Sequence, residues 1–423
     1  MIRIIIANTW LLCILCMLKG CDSFALSSSF LGSQQIVSQH NSCYTLTMKI
    51  RVGLLGLPNV GKSTLFNALA QQSIAQAANF PFTTIDPNRA AVPVPDAFLK
   101  NLGKFANSAK TIPATIEWVD VAGLAKGAHR GEGLGNRFLG NLRECSAIVH
   151  LVRAFEDPNI VHVDGKVDPL QDIEIIHLEL TLADLAHVER RLEKTNVPPE
   201  ERAALEQVVD GLRRDIPARA VGLSPESEFA IKSMGLLTLK PVLYAFNVDE
   251  VDYTLGRQEA VEEAKQVLAR VDYCDPVKDR WTLVSAKLEA KLSQFSNEEQ
   301  REYLASLDIE NIEQARALFC YNVLPAMVQD LLGLSMVYTG PGVPPERSRT
   351  TKAHLFSSTL TADEMAGRLH GEIQKGFIRA EVTPASVLLD HANYSAAKDA
   401  GCVRAEGREY ELQSNDVVLI KWK

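Results

Sequence analysis

Short apolar runs alternating with amphipathic stretches organise the chain from Met48 onward. Runs at 50–55, 115–119, 147–152, 241–246 and 281–284 are too short for buried helices, and each predicts a buried strand. Residues 65–69 predict the opening of a helix after the first strand, and further helical segments are expected across 297–332. Between the third and fourth strands the period changes. Ile173, Ile176, Leu180, Leu182, Leu185, Val188 and Leu192 recur at helical spacing with Glu and Arg between them, and a second run at 202–213 follows the break Val197-Pro198-Pro199. This predicts an inserted antiparallel helical hairpin, coiled-coil-like, with a solvated charged outer face. Beyond the boundary signal Gly340-Pro341-Gly342-Val343-Pro344-Pro345, strands near 353–356, 378–382 and 417–420 surround one helix at 362–373, a small α+β domain of β-grasp type. The fold class is therefore α/β, with a strand-and-helix domain at 48–167 and 237–334, the helical insertion at 168–236 and the β-grasp domain at 335–423.

Residues 1–47 stand apart. Arg3 precedes an apolar stretch at 4–18, small residues follow around Ser23 and Ala25, and 26–47 is Ser- and Gln-rich without any Asp, Glu, Lys or Arg. The stretch is short for a membrane span and has a signal-peptide pattern. It resembles the two-part presequences of algae with secondary plastids, which places the protein in the plastid stroma. If Met48 is the start, the protein is cytoplasmic. No membrane association is expected of the mature form.

Composition, at 46% hydrophobic and 23% charged, is that of a soluble globular protein. Charge changes the picture more: residues 1–47 carry +1 and 336–423 are neutral, so the total of −8 leaves −9 on 48–335. Such a body has no general affinity for nucleic acid; DNA is excluded as a partner, and any RNA contact must be local. Outside the presequence Cys145, Cys274, Cys320 and Cys402 are scattered without C-x-x-C spacing, so neither a zinc site nor a disulfide framework is suggested.

The chemistry begins where the first strand meets the first helix, at Gly56-Leu57-Pro58-Asn59-Val60-Gly61-Lys62-Ser63-Thr64. G-x-x-x-x-G-K-S between a strand and a helix is a phosphate-binding P-loop: its glycines let backbone N–H groups turn inward, Lys62 reaches the β- and γ-phosphates, and Ser63 binds Mg²⁺. Asn79-Phe80-Pro81-Phe82-Thr83-Thr84 has the make-up of a switch I loop, where Thr84, or Thr83 as second choice, completes the Mg²⁺ shell. Asp120-Val121-Ala122-Gly123 at the end of a strand supplies a Walker B aspartate that holds Mg²⁺ through water and a glycine N–H for the γ-phosphate. Leu124 stands where Ras-like GTPases carry a water-orienting glutamine, and leucine makes no hydrogen bond to water. Glycines at 127, 131, 133 and 135 predict a loop that reshapes with the nucleotide. At Asn247-Val248-Asp249-Glu250, the place of the guanine-reading N-K-x-D, Asn247 contacts the base edge, while Val248 and Glu250 weaken guanine selectivity. Ser285-Ala286-Lys287 is the S-A-K loop beside the base. His162, in a long acidic loop, reads on its own as a surface residue.

Taken in order, these segments resemble the Obg-like ATPases of the YchF family: the P-loop at 56–64, Asn-Phe-Pro-Phe-Thr-Thr at 79–84, Asp-Val-Ala-Gly-Leu at 120–124, Gly-Glu-Gly-Leu-Gly-Asn at 131–136 and Lys-Gly-Phe-Ile-Arg-Ala-Glu at 375–381. The resemblance covers 48–423. It implies a Ras-like P-loop domain, an inserted antiparallel helical domain and a C-terminal TGS domain, with ATP preferred over GTP. It places ATP contacts on Asn59, Val60, Gly61, Lys62, Ser63 and Thr64, the base near Asn247 and Val248 beside Ser285 and Ala286, and Mg²⁺ on Ser63 and Thr84. The family's catalytic histidine falls on His162, and Asn59 resembles P-loop residues of K⁺-stimulated GTPases. The expected function is a slow Mg²⁺-dependent ATPase switch, monomeric and associated with the ribosome or ribosomal RNA. Two alternatives stand beside it: a ribosome-associated GTPase, and a regulatory binding protein whose hydrolysis is incidental.

Overall fold

The computed structural model describes residues 50–77, 88–121, 134–160, 166–254, 258–275, 278–307, 319–340, 350–357 and 359–423. In chain order come β1 (Arg51–Leu55), α1 (Lys62–Ala77), β2 (Arg89–Pro93), α2 (Leu99–Phe105), β3 (Lys110–Ile112), β4 (Thr115–Asp120), α3 (Leu134–Arg143) and β5 (Ala147–Arg153). The long pair α4 (Pro169–Leu192) and α5 (Pro199–Arg213) follows, then β6 (Val242–Asn247), α6 (Glu250–Thr254), α7 (Gln258–Ala269), β7 (Arg280–Val284), α8 (Ala286–Gln294), α9 (Asn297–Ser306) and α10 (Cys320–Leu331). The last stretch holds β8 (Leu334–Thr339), β9 (Thr350–Ser357), α11 (Ala362–Leu369), α12 (Gly371–Lys375), β10 (Phe377–Pro384), α13 (Tyr394–Asp399), β11 (Arg404–Glu406) and β12 (Asp416–Trp422).

The chain divides into two compact units, Ile50–Val94 with Thr115–Leu334 and Pro95–Ala114 with Ser335–Lys423. In the larger unit the sheet order is β2-β4-β1-β5-β6-β7. All neighbours are parallel except β2, which runs antiparallel to β4 at the edge. β5 and β6 are buried along their whole length, as central strands covered by helices on both faces must be. All five apolar runs of the sequence are strands of this sheet. The weakly patterned β2, ending in Pro93, is a sixth.

The helical hairpin forms where the periodicity predicts it. Asp168 caps α4 by accepting the N–H of Gln171, and Pro169 stands in the first turn, where its missing N–H costs nothing. Val188 on α4 packs with Ala204, Leu205, Val208 and Leu212 on α5, and Arg191 clamps Glu201 with two parallel bonds of 2.7 and 2.8 Å. The hairpin is tied to the sheet domain through Asp184. This fully buried carboxylate accepts from Arg143, at 3.0 Å, and from both the backbone N–H and the hydroxyl of Thr238, each at 2.8 Å.

The smaller unit is built on the sheet β11-β10-β12-β8-β9-β3. The single helix expected at 362–373 is two, because His370 adopts extended backbone (φ −169°, ψ 143°) and its side chain accepts the N–H of Glu372 to start α12. The sequence assigns 95–114 to the nucleotide domain, whereas these residues belong to the smaller unit. β3 pairs with β9 in parallel (Lys110 with Thr350), the Tyr338 hydroxyl donates to Asp96 at 2.9 Å, and Ser108 and Thr351 share a 2.7 Å bond.

Candidate nucleotide-binding site

β1 ends under the P-loop, flanked by β4 and β5, so that Leu54 lies opposite Asp120 and Leu55 opposite His150. Two glycines are required by this crowding. A Cβ on Gly56 would lie 2.6 Å from the Leu151 carbonyl oxygen, and Gly61 combines φ +92° with a Cβ position 2.5 Å from Asn247 Nδ2. Asn59 also has positive φ, 63°, and stands exposed at the tip of the loop. The helix then starts at once, with Leu65 N–H donating to Gly61 O at 2.9 Å. The unpaired N–H groups of the first turn of α1 thus face the space enclosed by the loop.

Lys62, 8% exposed, donates to Asp120 Oδ1 at 2.7 Å, and Ser63 Oγ donates to Asp120 Oδ2 at 3.4 Å. Side chains from the P-loop and from the end of β4 therefore converge as the motifs predict. A hydroxyl beside a carboxylate is the hard oxygen donor set that suits Mg²⁺, so Ser63 and Asp120 fit that ion. Ser63 and Thr64 are exposed at the mouth. Thr83, Thr84, Gly123, Leu124 and His162 lie outside the described residues.

At the base-reading end the structure corrects one expectation. Asn247, 3% exposed, donates through Nδ2 to Val60 O and accepts through Oδ1 from Ala286 N–H, both at 2.9 Å. Its amide clasps the P-loop to the S-A-K loop, rather than aiming at a base edge. The motif letters give the residue type, but not which backbone groups lie within its reach. Val248 is buried and its N–H donates to Val284 O; Ser285 and Ala286 are buried beside it.

Glu250, in the place of the guanine-binding aspartate, is also engaged. Lys291 Nζ donates to Oε2 at 2.8 Å, the Tyr303 hydroxyl to Oε1 at 3.0 Å, and Lys291 to the Tyr303 oxygen at 2.7 Å. Both carboxylate oxygens already hold donors from α8 and α9. Guanine, which offers N1–H and N2–H, would meet no open acceptor there. Sequence reasoning missed Lys291 and Tyr303, which lie 41 and 53 residues from Glu250 and have no motif spacing to it.

An open cavity of about 440 Å³ abuts the end of β6, lined by Phe155, Phe246, Val248 and Val267 together with Glu156, Asp249, Asp252 and Glu263. No P-loop residue lines it, and four carboxylates repel a triphosphate, so it is not the phosphate site.

Comparison with known proteins agrees with this geometry. A family model described as a 50S ribosome-binding GTPase matches residues 51–189, and one named for the C-terminal part of YchF GTPases, described as a protein of unknown function, matches 347–423. The chain is 38% identical over 386 residues to the ribosome-binding ATPase YchF of Bacillus subtilis, covering 89% of this chain and 100% of that one. It is 37% identical over 391 residues to Obg-like ATPase 1 of Pongo abelii, covering 88% and 92%. The solved YchF GTPase of Schizosaccharomyces pombe superposes with a TM-score of 0.74 at 30% identity, over 88% of this chain and 98% of that one. With relatives matched along nearly their whole length and a P-loop built as described, the chain belongs to the YchF and Obg-like ATPase family of nucleotide hydrolases.

Proposed function

We propose that this protein is a slow, Mg²⁺-dependent ATPase that hydrolyses GTP less efficiently and works as a ribosome-associated switch. The observation that carries the reading is the convergence of Lys62 and Ser63 on Asp120 inside the P-loop, at 2.7 and 3.4 Å. The engagement of Glu250 by Lys291 and Tyr303 supports adenine over guanine. The names of the bacterial relatives support the ribosome as partner.

In this reading the P-loop N–H groups from Asn59 to Thr64 cradle the phosphates, and Lys62 turns from Asp120 to the β- and γ-oxygens, where it offsets charge as the bond to the leaving oxygen lengthens. Mg²⁺, held by Ser63 and Thr84 with Asp120 behind a water, supplies charge neutralisation across the β- and γ-phosphates. Gly123 N–H meets the γ-phosphate, and Val248, Ser285 and Ala286 border the base. Leu124 leaves the attacking water without the usual orienting amide, and His162 takes that part. Asn59 supports a K⁺ ion that adds positive charge to the transition state. The protein acts as a monomer without a DNA or membrane partner, in the cytoplasm if Met48 is the start and in the plastid stroma if residues 1–47 are a functional presequence.

Dissociation constants and turnover for ATP and GTP on residues 48–423 test the core of this reading. Tighter ATP binding with turnover lost in Lys62→Ala is expected, and equal or stronger GTP use would replace it with a GTPase. Unchanged turnover in His162→Ala removes that residue from catalysis, and equal rates in Na⁺ and K⁺ buffers remove K⁺.

A further inference from the structure

The segment Lys375 to Glu381 has no place in nucleotide binding, yet it is built around an uncommon arrangement of charge. Glu381 on β10 is 3% exposed and accepts from the Tyr394 hydroxyl at 2.7 Å, Lys398 Nζ at 3.0 Å and Arg379 Nη2 at 3.2 Å, with Lys421 Nζ 3.6 Å away. Burial alone would raise this carboxyl, but the Tyr394 hydroxyl, Lys398 and Arg379 hold it down at about 2. The cations themselves are not buried: the side chains of Arg379 and Lys398 are 51% exposed and that of Lys421 is 41% exposed. One carboxylate against three cations leaves an excess of positive charge on a chain whose net charge is −8.

Satisfying Glu381 does not require this many partners. Arg379 and Lys421 are direct cross-strand neighbours on β10 and β12, and like charges in that relation are destabilising. The arrangement therefore works against the stability of the sheet, while fixing three long side chains, most of their donors still open, in one outward-facing group. Apolar exposure accompanies it. The register shifts between Phe377 and Arg379, and Ile378 at this bulge is 58% exposed. Trp422, the cross-strand partner of Phe377, is 53% exposed. Half-exposed cations beside an exposed indole match a phosphate backbone with an unpaired base. An acidic protein needs such a local patch to approach a polyanion at all.

We propose that this face of the C-terminal sheet docks on RNA, with Arg379, Lys398 and Lys421 on backbone phosphates and Trp422 stacked on an unpaired base. The inference rests on the ribosome-associated reading above and assigns the ribosomal contact to RNA.

The test measures binding of the full chain to intact ribosomes and to protein-free RNA extracted from them, across a salt series. Arg379→Gln, Lys398→Gln and Lys421→Gln together are expected to weaken both by roughly tenfold or more and to reduce the slope of log K against log salt by about 2. ATP turnover without ribosomes should be unchanged. Trp422→Ala is expected to cost roughly fivefold or more. Lys398→Glu alone, at an exposed helix position, gives a reading independent of any strain in the triple variant, with a loss of about threefold expected. Wild-type affinity for RNA in the triple variant overturns the proposal, and an unchanged Trp422→Ala removes the stacking contact. Binding to ribosomes but not to the extracted RNA assigns the contact to a ribosomal protein and also overturns it. A wild-type chain that binds neither overturns the ribosome reading itself.

Discussion

Glu250 shows how a single side chain sets base preference without touching the base. A guanine reader must present two free acceptor lone pairs, and here Lys291 and Tyr303 hold both oxygens. Leaving guanine's donors unmatched costs about 1–3 kcal/mol. Lys291→Met combined with Tyr303→Phe releases the carboxylate, and the ratio of GTP to ATP dissociation constants is expected to fall by roughly tenfold. Titration calorimetry with both nucleotides checks this. An unchanged ratio would mean that Val248, which lacks the lysine's contacts with the ring, governs selection alone. At this scale the sequence is most legible where chemistry demands a residue type at a fixed spacing, as at Gly61, Lys62 and Asp120. It is least legible where one residue acts through distant neighbours. Asn247 was recognisable as a motif residue, but its role as a clasp depends on Val60 O and Ala286 N, which only the fold brings together.

At the scale of elements, the helix that starts at the P-loop is joined to two others through a buried carboxyl. Glu289 on α8, fully buried, accepts from the backbone N–H of Cys320 at 2.6 Å, where α10 begins, and from Gln72 of α1 at 3.2 Å. Burial pushes it up to about 7 from an ordinary 4.5, against the opposing effect of those bonds. Folded Glu289 therefore keeps its proton up to about 7, whereas the unfolded carboxyl releases it near 4.5. The folded state binds more protons within that window, so stability falls as pH rises through it and is constant above. The size of the effect is about 3 kcal/mol. Glu289→Gln keeps an acceptor for Cys320 N–H, and the Gln72 amide can turn to match it. Urea midpoints of this variant relative to wild type are expected to agree near pH 4.5 and to favour the variant above pH 7. A constant difference across the range would show that Glu289 is ionised when folded. Strands were readable from their short apolar runs because central strands are buried on both faces. The break at His370 was not readable, because the apolar spacing continues across it and only the backbone records the interruption.

On the scale of the whole molecule, linear order misassigned one segment. Residues 95–114 lie between two strands of the nucleotide sheet, so continuity of sequence places them there. Yet β3 is the edge strand of the other sheet, next to β9. No periodicity in so short a strand announces which sheet it joins, since three residues fit any edge. The C-terminal unit is thus made from two separate pieces of chain, and the larger unit cannot be cut away cleanly at its C-terminal boundary. Truncation after Leu334 removes β9, Tyr338 and Thr351, leaving Lys110, Asp96 and Ser108 without their partners. It also exposes the backbone of β3 as an unpaired edge. Such a truncated protein is expected to melt at lower temperature and to aggregate, although every P-loop contact remains in its sequence. Replacing 95–114 in the same truncation by a short Gly/Ser linker from Val94 to Thr115 removes the orphaned strand, and is expected to restore solubility and nucleotide binding. Melting curves and light scattering on the two truncations decide the matter. If the simple truncation is as soluble and stable as the linker version, the segment folds independently of the C-terminal strands, and its place in that sheet adds nothing to the stability of the molecule.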